Sequence, residues 1–159
     1  MNDGQSLFEV VVAVGIISVT LLVIISLTTV SIKNSSLARS KNQARLYSQE
    51  ALEWLRKERD LSYAGLQSRV GISSYCVTDV NDDSPWSNIG LCDSTSGDSV
   101  SNEGVFFREV VLKNPLLPGP SAAIAAQDRN IIIVDVKVYW KVGENTHSVT
   151  GSTQLTKWR

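Results

Sequence analysis

Gly4-Gln5-Ser6-Leu7-Phe8-Glu9 runs without a break into Val10-Val11-Val12-Ala13-Val14-Gly15-Ile16-Ile17 and on through apolar sequence to Ile32. From Val10 to Ile32 there is no charge and no proline, and the polar members are Ser18, Thr20, Ser26, Thr28, Thr29 and Ser31. As a helix rising about 1.5 Å per residue, this stretch spans roughly 34 Å against a bilayer core of about 30 Å. Ser and Thr hydroxyls bond to carbonyls of the preceding turn, so they do not spoil its apolar character. It is longer than the apolar core of a secretory signal, and no small-residue cleavage pattern follows it. A retained membrane anchor is the expectation. Glu9 is the exception at its mouth. A charge in hydrocarbon costs about 2.5–3.5 kcal/mol even on the lenient insertion scale, so this carboxylate requires a partner. The next positive charge in the chain, Lys33, lies at the other end of the span.

Beyond Ile32 the sequence turns amphipathic with no helix breaker. Ala44, Tyr47, Ala51, Trp54 and Leu55 recur at spacings of three and four, while Arg45, Gln49, Glu53, Arg56 and Lys57 take the other faces. Glu53 and Lys57 stand four apart in the favourable order. The pattern predicts one helix from about Gln5 to about Asp60, near 85 Å long at about 1.5 Å per residue. Tyr47 and Trp54 are read as core residues on this spacing. Gly65 and Gly71 are expected to end helical character.

The chain has 159 residues, with 15 Lys+Arg against 16 Asp+Glu, so no global field argues for nucleic acid or an acidic surface as partner. Its mean hydropathy of zero averages an apolar first third and an ordinary soluble remainder. Roughly 95 residues from Gly65 onward form a domain small enough to gain from a covalent staple. Cys76 and Cys92 are the two cysteines. Outside the cytoplasm they would close a loop of about 15 residues worth about 3 kcal/mol; inside it they would be reduced and buried. Which holds depends on topology.

Cys76 to Glu103 reads as loop, carrying Asp79, Asp82, Asp83, Asp93, Asp98 and Glu103 with no lysine or arginine. Asp79-Val80-Asn81-Asp82-Asp83 invites a calcium reading. Ser84 stands where an EF-hand loop needs glycine and Gly90 where it needs the bidentate glutamate, so a solvated acidic loop is expected. Trp86 either packs this loop down or is an exposed contact residue. Three strands follow: Val105 to Lys113, Ile131 to Val142, and Thr146 to Trp158. The second alternates cleanly, with Ile132, Val134, Val136, Val138, Trp140 and Val142 on one face and Asp135, Lys137, Tyr139 and Lys141 on the other. Gly143-Glu144-Asn145 makes the turn of a hairpin into the third strand. Asn114 to Asn130, with three prolines and an alanine-rich patch, is expected to be a long surface connection or to contain a short helix; 115–129 lie outside the residues the structure describes below.

Little here suggests catalysis. The one histidine, His147, sits beside a turn without an acid pattern, and there is no phosphate-binding glycine loop, paired-carboxylate motif or metal cluster. No cofactor and no metal are expected. Lys137, Lys141, Lys157 and Arg159 form a candidate basic patch near Tyr139, but exposed strand lysines ordinarily serve solubility and edge protection. Nucleic acid is therefore an unfavoured partner.

Gly4-Gln5-Ser6-Leu7-Phe8-Glu9 resembles the class III signal of type IV pilins and type II secretion pseudopilins: a glycine, four mostly apolar residues and a glutamate, then a hydrophobic helix. Ala44 to Arg59, with Glu53-Trp54-Leu55-Arg56 at its heart, and the hairpin around Asp135 to Trp140 ending at Trp158 are similar to pilus-modification minor pilins and I-type pseudopilins. The resemblance implies cleavage by a prepilin peptidase after Gly4 and N-methylation of Gln5. It also implies an assembly role for Glu9, whose carboxylate would meet the new ammonium of a neighbouring subunit.

The fold implied is α+β and pilin-like, a long helix packed on an antiparallel sheet of three or four strands. The chain would divide into a leader over 1–4, a membrane-spanning or filament-core half-helix over 5–32, an amphipathic half-helix over 33–62 and a globular head over 63–159. The protein would be a minor filament subunit in the cytoplasmic membrane, surrounded by lipid and other pilin or pseudopilin subunits, with its head outside the cytoplasm. Lys33, Arg39, Lys41 and Arg45 point the other way, since a positive-inside count places the head in the cytoplasm. A rival reading is a membrane-anchored binding module, an adhesin or DNA-uptake component, acting through the acidic loop or the terminal hairpin.

Overall fold

The computed structural model describes residues 3–81, 85–86, 88–92, 98–100, 105–114 and 130–158. Helix α1 spans Asp3–Leu61 and a short α2 spans Tyr63–Gln67. Strands follow as β1 (Tyr75–Cys76), β2 (Asn88–Ile89), β3 (Phe106–Lys113), β4 (Ile131–Val142) and β5 (Asn145–Thr156). They form one antiparallel sheet in the order β2-β1-β3-β4-β5. The architecture is α+β. The three long strands are those expected from the sequence, and β1 and β2, two residues each, extend the sheet beyond β3.

The chain forms two units, Met1–Ser40 and Lys41–Arg159, and α1 contributes to both. In the first unit the helix is sustained by its own backbone and by its hydroxyls. Ser18, Ser26, Thr28 and Thr29 each donate to the carbonyl four residues back, and Thr20 to the one three back, over 2.7–3.0 Å. That is the back-bonding expected where no water is available. Every residue from Leu7 to Arg39 is exposed.

In the second unit the same helix buries one stripe. Ala44, Ser48, Ala51 and Leu55, at intervals of three and four, are buried, with Trp54 beside them. Three small residues in that stripe let the helix approach the sheet closely. The closest approach is at Gly151 of β5, where an added Cβ would lie 2.5 Å from Ser48 Oγ and 3.1 Å from Leu52 Cδ1. Facing the stripe are Phe106, Val110 and Leu112 of β3, Ile132, Val134, Val136, Val138 and Trp140 of β4, and Leu155 of β5. Tyr47 meets Phe106 edge-on at 5.5 Å between ring centroids. The alternation of β4 holds as read, except that Val142 is 50% exposed because it closes the hairpin beyond the packed face.

The connection after α1 differs from the glycine reading. Helical character continues past Gly65 through α2, whose N-cap Ser62 accepts a hydrogen bond from the Gly65 N–H at 3.1 Å. Gly71, with φ +90°, makes the turn that leads to β1, and its N–H donates to the Leu112 carbonyl. On α1 itself, Glu53 pairs with Arg56 one turn on, rather than with Lys57.

Cys76 and Cys92 form a disulfide across 16 residues, with Cα atoms 5.1 Å apart. A loop of that length contributes about 3 kcal/mol to a small domain. The disulfide lies on the sheet face opposite α1, where it packs with Phe107 and Tyr139. Those two rings stack at 5.4 Å, and Tyr139 Oη donates to the Cys92 carbonyl at 2.8 Å. Trp86 packs inward, its ring 4.8 Å from Trp54 and 5.0 Å from Tyr75, with the Arg69 guanidinium 4.9 Å above it. That decides between its two readings: it holds the loop down.

Candidate functional site

The segment on which the functional reading depends lies in the first unit. Gly4 and Gln5, the expected cleavage and N-methylation positions, lie in the helical backbone of α1. Glu9 is exposed one to two turns further on, next to Leu7 and Phe8, which are 70% and 71% exposed. Among the described residues Glu9 has neither an ion-pair nor a hydrogen-bond partner. The apolar surface continues along the helix, with Val11, Ile16, Leu22, Ile25, Leu27 and Ile32 all more than half exposed. An exposed apolar patch this extended marks a surface that lipid or another chain covers. One helix here is long and apolar enough to cross a membrane, with a mean hydropathy of 3.0 in its most apolar window. A carboxylate at the end of such a surface gains little from its own chain. It can serve as a hydrogen-bond and charge acceptor for an ammonium delivered by a neighbour in the same apolar medium.

In the second unit the residue that sequence reasoning missed is Arg108. It faces α1 from the middle of β3, and its side chain is fully buried. Its Nε donates to the Val77 carbonyl at 3.0 Å and its Nη2 to the Thr78 carbonyl at 3.3 Å. Nη1 donates to the Tyr47 carbonyl at 3.1 Å and to Glu50 Oε2 at 2.8 Å. Burial lowers the guanidinium pKa, and the hydrogen bond and charge of Glu50 pull it back up. A guanidinium starts so far above neutrality that it remains charged. One side chain thus ties α1, β3 and the segment after β1 together. Around it Tyr47, Glu50, Thr78, Asp79, Ser99 and Val100 line a polar cleft of about 380 Å³. With most of its donors on protein carbonyls and Glu50, Arg108 is a structural clamp.

The signal for Arg108 was weak for a definite reason. Phe106, Phe107, Arg108, Glu109 and Val110 are all buried, because β3 is covered on both faces. A strand buried on both sides loses the alternation that separates inward from outward positions. Glu109, on the disulfide face, is buried opposite Lys137 of β4. Burial raises its carboxyl pKa, opposed by the Lys137 charge and a hydrogen bond from the Cys92 backbone. Among the described residues its Oε1 has no hydrogen-bond partner.

The other sequence candidates separate. Lys137 is exposed, 5.7 Å from the Tyr139 ring and across from Glu109. Lys141 and Lys157 are exposed, and Arg159 lies outside the described residues. His147 is half-buried and stacks on Trp140 at 5.6 Å, as an edge-strand residue. In the acidic loop, Asp79 Oδ1 accepts from the Asn81 N–H at 2.8 Å, a local turn. Asp98 is buried, while Asp82, Asp83, Asp93 and Glu103 lie outside the described residues. Among the described residues no group of three or more His, Cys, Asp or Glu side chains is placed to hold a metal. Comparison with protein-family models, with curated proteins and with solved structures finds no match to this chain.

Proposed function

We propose that this chain is a non-enzymatic structural subunit of a filament built by the type IV pilus or type II secretion machinery, a minor pilin or pseudopilin. The observation that carries the reading is α1: an unbroken helix whose first part is apolar, exposed from Leu7 onward and headed by the carboxylate of Glu9, and whose second part is the core helix of a head domain. Such a helix serves in two media. It is held in the cytoplasmic membrane before assembly and packs against other subunits afterwards. Cleavage after Gly4 by a prepilin peptidase would create an ammonium on Gln5, N-methylated, which pairs with Glu9 of a neighbour and sets the axial register.

The disulfide supports a head outside the cytoplasm, since such bonds persist in oxidising compartments. This weighs against the positive-inside count from Lys33 to Arg45. Of the hairpin residues that the rival binding-module reading would use, Tyr139 is engaged by the Cys92 carbonyl. Mass spectrometry of the membrane-extracted protein, co-expressed with a prepilin peptidase, tests the proposal. Loss of residues 1–4 with a methyl group on Gln5 is the expected result. An intact Met1 under those conditions defeats it.

A further inference from the structure

The whole chain is nearly neutral, but its charge is unevenly placed. From Val10 to Gln49 there is no acidic residue, and the only charges are Lys33, Arg39, Lys41 and Arg45. Lys33 follows directly on Ile32, the last residue of the membrane-length run, and Lys33 and Arg39 both belong to the first unit. Both are exposed, and among the described residues neither has an ion-pair partner. In the head, by contrast, Arg56, Arg59, Arg108 and Lys113 each hold a carboxylate. The hydroxyls change at the same place. Thr29 is the last in the first unit to bond back to a carbonyl; among the described residues Ser31, Ser35 and Ser36 make no such bond.

At about 100° per residue, Lys33, Ser36, Arg39 and Ser40 fall within about a third of the helix circumference. This face begins about 1.5 Å beyond Ile32, and Arg39 stands about 10 Å along the axis. The headgroup layer is about 5–8 Å deep on each side of the hydrocarbon. Cα–Cβ bonds of a helix tilt toward its N-terminus, so both long side chains lean back toward the span and carry their charges into that layer on apolar stems. Two cations with a hydroxyl between them offer a phosphodiester counter-charge and charge-assisted hydrogen bonds. Every phospholipid has a phosphate, so net charge decides among them. With no carboxylate nearby in the sequence, a zwitterionic headgroup brings its own ammonium into a positive field, whereas an anionic one does not.

We infer that the face carrying Lys33, Ser36 and Arg39 is a binding surface for the headgroups of anionic phospholipids, in the leaflet where α1 leaves the bilayer. Lipid binding here rests on the membrane placement of the first part of α1, and not on cleavage after Gly4 or on the pairing of Glu9. It requires no particular side of the membrane. It therefore gives these basic residues a use with the head outside the cytoplasm, the arrangement that a positive-inside count disfavours.

The test uses the full chain in a neutral detergent, analysed by native mass spectrometry with equimolar phosphatidylglycerol and phosphatidylcholine of the same acyl chains. The unaltered chain should retain phosphatidylglycerol preferentially, and the preference should weaken as salt rises. It should fall by about fivefold for each charge removed, in Lys33→Gln and then in Lys33→Gln with Arg39→Gln. Lys33→Arg with Arg39→Lys keeps both charges and should keep the preference, as should Lys157→Gln in the head. These positions are exposed, so the variants are expected to fold. Alkaline washing of membranes that carry the unaltered chain separates the two readings. Release of the chain would remove the membrane placement and this inference together, whereas an embedded chain without lipid preference overturns the inference alone. An undiminished preference in the double Gln variant also overturns it. So does a chain without lipid preference whose self-association in phosphatidylcholine nanodiscs is lost in that variant, which would make the basic face a contact for an acidic protein surface.

Discussion

Helix α1 is one element with two kinds of surface. From Leu7 to Arg39 every residue is exposed, though most are apolar, whereas from Ala44 to Leu55 a narrow stripe of small residues and one leucine is fully buried. The two stretches solve opposite problems. The first lacks a partner among the described residues and presents its apolar surface to lipid or another protein. The second has its partner supplied by the sheet, and uses Ala44, Ser48 and Ala51 to bring the backbone close. The difference teaches that hydrophobicity alone does not identify a core. What marks the second stretch is polar residues on the other faces of the helix, and what marks the first is that apolar residues surround it on all sides.

The comparison predicts where single changes act. The largest effect is expected at Glu9, in the stretch without an internal partner. Glu9→Ala should leave membrane insertion unchanged while abolishing incorporation into filaments, measured as shed filament against the membrane pool. Normal assembly by this variant would remove the functional distinction between the two stretches. Next is Arg108, which joins the second stretch to the sheet. Arg108→Met should lower head stability by about 3 kcal/mol, because the carbonyls of Tyr47, Val77 and Thr78 lose a buried donor, and the melting temperature should fall accordingly.

A smaller and more selective effect is expected where helix and sheet come closest. Gly151→Ala should cost about 1–3 kcal/mol, since its Cβ would meet Ser48 Oγ. Adding Ser48→Ala should recover much of that loss, because it removes both the clash and a buried hydroxyl with no partner. If the pair of changes is simply additive, the close approach does not govern the packing.

The smallest effect belongs to Glu109, on the face away from α1. Its pKa is raised in the folded state, so the native head binds a proton more readily than the unfolded chain. Its contribution therefore falls as pH rises from the ordinary carboxylate range through the raised value. Glu109→Gln should stabilise the head at neutral pH, with the gain vanishing in acid. Asp135 has the opposite sign. Burial raises its pKa, but the hydrogen bonds from Lys113 and Ser152 and the Lys113 charge outweigh that and leave it lowered. Its contribution is present at neutral pH and is lost as pH falls through the lowered value. Urea titrations of Glu109→Gln and Asp135→Asn across pH should show these opposite trends.

Much of this fold was legible because its large elements carry long periodic patterns. The period of two in Ile131 to Val142 and the turn at Gly143-Glu144 fix β4, the hairpin and β5. The breaker-free run fixes α1. β1 and β2 were not legible, since two residues carry no period; they are strands only because β3 offers an edge and the disulfide holds them there. Arg108 escaped notice because its acceptors are backbone carbonyls, which look alike in every sequence. Glu9 stood out as a candidate because a charge in an apolar run has few ordinary uses.

The Arg108 clamp also has a kinetic consequence. Its acceptors on α1 precede it by 61 and 58 residues, and those after β1 by 31 and 30. None of these bonds can form until β3 has been made. Long-range closures of this kind make folding slow and late rather than progressive. For that interval the stripe from Ala44 to Leu55 is a bare helical surface. Until the sheet covers that stripe the unfinished head carries apolar surface that favours aggregation.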